Sequence, residues 1–175
     1  MRVFLCVELD KKAREELTRV IEEVKKSKLI ITKYVEPENL HLTLKFFGEI
    51  SDAEADDIKN KLETLKFRKF DAELEQVGYF SEDFIRVLWA GIKCTEAKGL
   101  VDKIEELFGK NDKETSCHIT IARIKNVSDK NKFKEFIKNF KIKKIKFPVD
   151  KIYLKKSVLT ESGPVYSDVF IKKFE

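Results

Sequence analysis

Hydrophobic positions along the chain change period repeatedly, and the changes mark out elements. Val3–Glu8 is a short run rich in Val, Phe and Leu, the pattern of a strand. Ala13, Leu17, Val20, Ile21 and Val24 then recur at helical spacing, with Asp10 placed to cap the helix. Leu40–Phe47 alternates and is closed by Gly48. Ser51 or Asp52 opens a second helix with Ala55, Ile58, Leu62 and Leu65 on one stripe, and Phe70–Val77 reads as a strand. The order then repeats. Ile85–Ile92 is a strand, and Thr95 starts a helix carrying Leu100, Val101, Ile104, Leu107 and Phe108. Ser116–Ile124 alternates, Ser128 caps a helix with Phe133, Phe136, Ile137 and Phe140, and Ile145–Leu154 is a strand. A Ser162-Gly163-Pro164 turn leads to a last strand, Val165–Phe174. The expected class is α+β with mostly antiparallel pairing.

The repetition extends to identities. His41 and His118 lie 77 positions apart, and so do Ser51-Asp52 and Ser128-Asp129, Lys61 and Lys138, and Lys69-Phe70 and Lys146-Phe147. Upstream, Ile21-Glu22-Glu23-Val24 resembles Ile104-Glu105-Glu106-Leu107 at an offset of 83, and Arg2-Val3 resembles Arg86-Val87 at 84. A longer loop before His41, with Glu36-Pro37-Glu38-Asn39, absorbs the difference. The reading is one domain over residues 1–175, made of strand-helix-strand-helix-strand halves at roughly 1–80 and 81–160, plus a C-terminal strand at 165–174. A pseudo-twofold axis then sets one His-strand from each half on a shared central cleft.

These two histidines are the only ones in the chain, and each opens the same pattern: His41-Leu42-Thr43-Leu44 and His118-Ile119-Thr120-Ile121. On a strand, His and Thr share one face, roughly 7 Å apart, and the aliphatics share the other. One His on a strand is usually structural. Two, in equivalent repeat positions and each followed by Thr at i+2, point to a site. Imidazole titrates near neutrality, so one ring can act as base while the other acts as acid. In-line displacement at phosphorus needs that pair, and the Thr hydroxyls suit its non-bridging oxygens. No metal is required, and two His without a third ligand at motif spacing make a poor zinc site. Cys117 should point away from the cleft, and Cys6 reads as a small buried residue.

Composition narrows the setting. Hydrophobic content is 42% and includes 14 Phe, enough for a sizeable core, and no apolar run is long enough to span a membrane. Three widely spaced cysteines form neither a disulfide framework nor a metal motif, so a reducing cytoplasm is expected. Abundant Lys and Glu with one Met and one Gln suggest a thermophile. Within residues 125–146, nine lysines face only Asp129 and Glu135; the stretch suits a polyanion or a solvated surface equally.

The paired patterns, the run Pro37-Glu38-Asn39-Leu40-His41-Leu42-Thr43-Leu44-Lys45-Phe46-Phe47-Gly48-Glu49 and His118-Ile119-Thr120-Ile121-Ala122-Arg123 resemble the 2H phosphoesterase superfamily. The branch is the RNA 2′,3′-cyclic phosphodiesterases, also called 2′-5′ RNA ligase-like. Phe4 with Glu8, Arg86-Val87-Leu88-Trp89, and Ser157, Gly163-Pro164 and Tyr166 agree with it. The resemblance covers essentially the whole chain. It implies the bilobal LigT-like fold, no cofactor, a monomer, and RNA with 2′,3′-cyclic phosphate ends, such as tRNA halves, opened to 2′-phosphates. By that analogy His118 activates water, His41 protonates the leaving 3′ oxygen, Thr43 and Thr120 hold the phosphate, and Arg123 contacts phosphate or RNA.

Two positions carry a geometric tension. Strict alternation from His118 sets Arg123 on the opposite face, so it reaches the cleft only through a bulge or at the strand end; otherwise it is a salt-bridged surface Arg. Lys45 continues the His41–Thr43 face, toward a phosphate or solvent. Phe46, Phe47, Phe84 and Trp89 are most often core; one of them, or Tyr79, is a candidate for stacking a terminal base. Ser157 and Tyr166 border the cleft or pack. Two other functions use the same residues: an RNA-end or nucleotide-binding module, and reversible joining of RNA halves through a 2′-5′ linkage.

Overall fold

Asp10 accepts from the Ala13 amide at 2.8 Å, and Ser51 forms a capping box with Glu54, as the sequence leads one to expect. At the fourth helix the cap is Asp129, not Ser128; the Asp129 carboxylate accepts from the Lys132 amide, while the Ser128 hydroxyl donates to the Leu29 carbonyl. In the computed structural model, which describes residues 1–93, 95–111 and 117–175, four helices follow these caps: α1 (Lys11–Ser27), α2 (Asp52–Thr64), α3 (Thr95–Phe108) and α4 (Lys130–Asn139). Cys94 and Ser116 lie outside the described residues.

Nine strands form one antiparallel sheet: β1 (Arg2–Glu8), β2 (Ile30–Tyr34), β3 (His41–Glu49), β4 (Phe70–Tyr79), β5 (Val87–Lys93), β6 (His118–Val127), β7 (Lys146–Val149), β8 (Lys151–Thr160) and β9 (Gly163–Lys173). Their order is β7-β4-β5-β6-β3-β1-β8-β9, and β2 adds to β6. The halves exchange strands: β4 pairs with β5, and β8 pairs with β1. The fold is the expected α+β arrangement, with β3 and β6 meeting at its centre through the single pair Leu42–Ile119.

Two expectations change. Residues 30–34, expected as part of a loop although Ile30, Ile31, Thr32 and Tyr34 favour a strand, form β2 by pairing with the second half of β6, which leaves its first half to β3. The run 145–154, expected as one strand, divides at Asp150. β7 pairs with β4 at one edge of the sheet, and β8 pairs with β1 near the other, so no single straight strand can serve both.

All four helices pack on one face. Leu17, Val20, Ile58, Leu62, Leu100, Ile104, Phe133 and Ile137 join Leu42, Leu44, Ile119 and Ile121 in one buried cluster. Each fully buried aliphatic contributes ~1.5–3 kcal/mol. A one-residue slip of β3 or β6 would move these side chains out and drive His and Thr in, so the register is firmly set. The helix layer therefore leaves the His–Thr face open. It also places the Lys-rich α4 behind the sheet, away from that face, where Lys134 pairs with Glu82 and Lys132 with Asp129.

Candidate active site

The antiparallel pair Leu42–Ile119 fixes the centre. One residue further on each side, His41 lies beside Thr120 and Thr43 beside His118. The two motifs thus run head to tail, and both imidazoles and both hydroxyls stand on the face opposite the core. All four are half-buried. Neither Thr hydroxyl has a hydrogen bond among the described residues, so both are available to a ligand.

Each motif ends in a β-bulge. In β3, Lys45 pairs with Leu5 and Thr43 with Cys6, which leaves Leu44 unpaired. In β6, Ala122 pairs with Leu88 and Thr120 with Trp89, which leaves Ile121 unpaired. Leu44 and Ile121 are the same position of the repeat. The extra residue inverts the alternation beyond it. Arg123 consequently shares the face of His118 and Thr120 and is exposed there, resolving the tension in the sequence.

The same inversion corrects Lys45. It turns to the core side, is only 8% exposed, and its ammonium donates to the carbonyls of Gly109 (2.9 Å) and Lys110 (3.3 Å) and to Asn111 Oδ1 (3.4 Å). Asn111 returns a bond from its amide nitrogen to the Leu44 carbonyl at 3.2 Å. Phe46, not Lys45, takes the cleft face, 64% exposed.

Rings surround each imidazole. Phe4 lies 4.9 Å from the His41 ring centroid, and Tyr166 meets His41 edge-on at 5.6 Å. Phe80 meets His118 edge-on at 5.0 Å, with Trp89 at 6.5 Å. Phe4 and Phe80 are not among the stacking candidates that the sequence offers. Of the candidates it does offer, Trp89 and Phe46 face the cleft. Phe47 packs on Phe108 and Tyr79 near Phe133, both on the helix side, and Phe84 is 72% exposed. The family resemblance includes Phe4, though not as a ring beside His41, while Phe80 is the first residue past β4, on the strand end that reaches His118.

The backbone orients the His41 ring. His41 Nδ1 lies 2.7 Å from the Asn39 carbonyl, so it carries the proton and donates, leaving Nε2 toward the cleft. Asn39 is held in turn by its side-chain amide on the Pro164 carbonyl, and Arg14 donates to the carbonyls of Pro37, in the same loop, and of Leu9, just past the end of β1. Burial pushes the His41 imidazolium below its ordinary range; the Asn39 carbonyl opposes this, and the Lys155 cation adds to it.

A polar cluster without a sequence signature adjoins His41. The Lys155 ammonium bonds Glu8 at 2.6 Å and Asp168 at 2.5 Å. These residues are scattered through the chain, and only the strand register brings them together: Lys155 sits between Phe4 and Asp168, and Glu8 beside His41. Cys6 is fully buried, as expected, but on the cleft side with Phe4 and Tyr153, and burial raises its thiol pKa. Cys117 packs against the main core. Ser157 and Tyr166 pair across β8 and β9 on the cleft face.

Comparisons with known proteins agree with this geometry. A family model described as LigT like Phosphoesterase matches residues 7–89 and 95–166. The chain is 33% identical over 172 residues to the RNA 2′,3′-cyclic phosphodiesterase of Methanocaldococcus jannaschii, covering 95% of this chain and 96% of that one. It is 31% identical over 180 residues to that of Methanothermobacter thermautotrophicus, covering 97% and 96%. Among solved structures, TT0787 of Thermus thermophilus superposes with a TM-score of 0.80 at 28% identity, covering 99% of this chain and 97% of that one. E. coli LigT complexed with 3′-AMP shares the fold, with a TM-score of 0.78 at 19% identity over 99% and 97%. With its duplicated His-x-Thr strands and full-length relatives, the chain belongs to the LigT-like branch of the 2H phosphoesterases.

Proposed function

We propose that the chain hydrolyses 2′,3′-cyclic phosphodiesters at RNA ends to 2′-phosphates, by general acid and base catalysis from His41 and His118 without a metal ion. One observation carries the reading: the Leu42–Ile119 pair sets each His beside the Thr of the other motif. A phosphate held over that pair meets an imidazole at each end of a diagonal and a hydroxyl at each end of the other.

In this reading His118 takes a proton from water as the water oxygen bonds to phosphorus. The bond from phosphorus to O3′ breaks, and His41 Nε2–H protonates that oxygen. His41 suits the acid role because Nδ1 is committed to Asn39, so only Nε2 exchanges. Burial lowers the basicity of His41, which makes its imidazolium a stronger acid than an ordinary one. The Thr43 and Thr120 hydroxyls donate to the non-bridging oxygens, where charge gathers in the transition state. Arg123, turned inward by the Ile121 bulge, adds a fixed cation on the same face. The names of the curated relatives support the substrate class.

The test is product analysis. Protein treated with EDTA should open a 2′,3′-cyclic phosphate and release only the 2′-phosphate isomer. Replacement of either His by Ala should lower the rate by at least ~10²-fold with the fold retained. A 3′-phosphate product would overturn the assignment of the leaving oxygen, and activity lost to EDTA and restored by a divalent ion would overturn the metal-free mechanism.

A further inference from the structure

Charges on the cleft face are unevenly neutralised. Three of its carboxylates are engaged: Glu8 and Asp168 bind Lys155, and Glu49, the register neighbour of Arg2, lies 3.6 Å from the N-terminal ammonium. Its outer cations are not. Arg2, Lys33 and Arg123 have no ion pair among the described residues, although lysines and arginines elsewhere on the surface form many. All three are exposed.

Register places them around one point. Arg2 pairs with Ser157, and Ser157 with Tyr166, so the three form one row across β1, β8 and β9. Lys33 pairs with Arg123 across β2 and β6, on the same face. The β8–β9 turn meets Lys33, whose ammonium reaches the Ser162 carbonyl at 3.5 Å. Tyr166 links this row to the site, because it pairs with Ser157, the register partner of Arg2, and its ring meets His41 edge-on at 5.6 Å.

A cyclic phosphate carries one negative charge, and the two Thr hydroxyls already serve its free oxygens. Arg123 answers that charge, which leaves Arg2 and Lys33 in excess. On an RNA ending in a 2′,3′-cyclic phosphate, the nearest other anion is the phosphodiester on the 5′ side of the terminal nucleotide. We propose that Arg2 and Lys33 form a second anion subsite for that phosphodiester, so that an RNA chain end is preferred over a free cyclic mononucleotide. The proposal rests on the phosphodiesterase reading above and adds a substrate class to it.

The experiment compares kcat/KM for three substrates: a mononucleoside 2′,3′-cyclic phosphate, a dinucleotide ending in the same group, and that dinucleotide with a neutral methylphosphonate linkage. The charged dinucleotide should exceed both others by about 10-fold, the scale of a charge-assisted hydrogen bond. In Arg2→Gln/Lys33→Gln this advantage should vanish while the mononucleotide rate stays, which also shows that the variant folds. Equal rates for mononucleotide and charged dinucleotide in the wild type, or an advantage that survives the double substitution, would overturn the subsite. A methylphosphonate as good as the phosphodiester would show a second base rather than a second phosphate to be read, and would also overturn it. Failure to turn over any of the three would instead overturn the phosphodiesterase reading.

Discussion

Phe46 and Arg123 occupy the same position in the two halves. Each stands two residues past an unpaired bulge residue, Leu44 or Ile121, and each is turned by that bulge onto the cleft face. The His and Thr of the two motifs are interchangeable by symmetry; these two residues are not. One half offers an aromatic surface and the other a guanidinium. Together with Asn39 on His41 and the Lys155 cluster beside it, they give a nearly symmetric pair of imidazoles two different environments. On the proposed mechanism, such an asymmetry is what would separate the acid from the base.

That difference is open to direct measurement. His41 should titrate below the ordinary His range of ~6.5 in proton NMR of the free protein. Burial is the main cause, and the Lys155 cation contributes. Lys155→Met removes that cation and leaves Glu8 and Asp168 uncompensated beside the ring, so the His41 titration should move upward. An unmoved titration would show that Lys155 acts only as a strand tie.

Stability carries the same sign. A depressed His41 means that the unfolded chain binds the proton more readily than the folded one. The contribution is fully present above the unfolded value of ~6.5 and is lost as pH falls toward the folded one. His41→Gln does not titrate, so wild type should lose stability relative to it on acidification from pH ~6.5. Urea denaturation of both proteins over this range measures the difference, and parallel curves would contradict the depressed pKa.

Trp89, the only tryptophan, gives a handle on the other imidazole. A Cβ placed on Gly78 would come within 2.4 Å of two Trp89 ring atoms, so the indole lies flat on a glycine that cannot be enlarged without moving it. Trp89 also touches Phe80, and both rings flank His118. Gly78→Ala should shift the tryptophan emission and lower kcat, because the wall that orients His118 moves. An unchanged emission spectrum with reduced activity would place the effect elsewhere.

How much of this is legible in the chain follows from the range of the interactions. The His–Thr alternation is local, so its face and its core partners can be read from period alone. Caps at Asp10 and Ser51 are local too. The bulges are not: nothing in His41–Gly48 says that Leu44 is skipped, because the skip is defined by Leu5 and Cys6 on another strand. Strict alternation therefore sets Lys45 and Arg123 on the wrong side, by the same one-residue inversion. The β propensity of Ile30–Tyr34 is legible in its β-branched and aromatic residues, but its place beside β6 is not, because that pairing is long-range. The Lys155–Glu8–Asp168 cluster assembles from three strands and has no local pattern at all.

Lys45 itself yields the last expectation. Its buried ammonium has no carboxylate partner among the described residues; it serves the carbonyls of Gly109 and Lys110, just past the end of α3, while Asn111 holds the Leu44 carbonyl in return. Gly109 is left-handed, with φ 81°, which turns those carbonyls toward β3. The first motif is thereby clasped to the segment that precedes the second. Lys45→Met keeps the stem and removes a charged donor from its carbonyl acceptors, at a cost of ~1.5–3 kcal/mol. Chemical denaturation should show that loss. Because the clasp spaces the two His strands, kcat should fall more than KM rises. Asn111→Ala, which frees the Leu44 carbonyl from the other side, should reproduce the kinetic effect. A variant that loses stability but keeps wild-type kcat would limit the clasp to holding the fold.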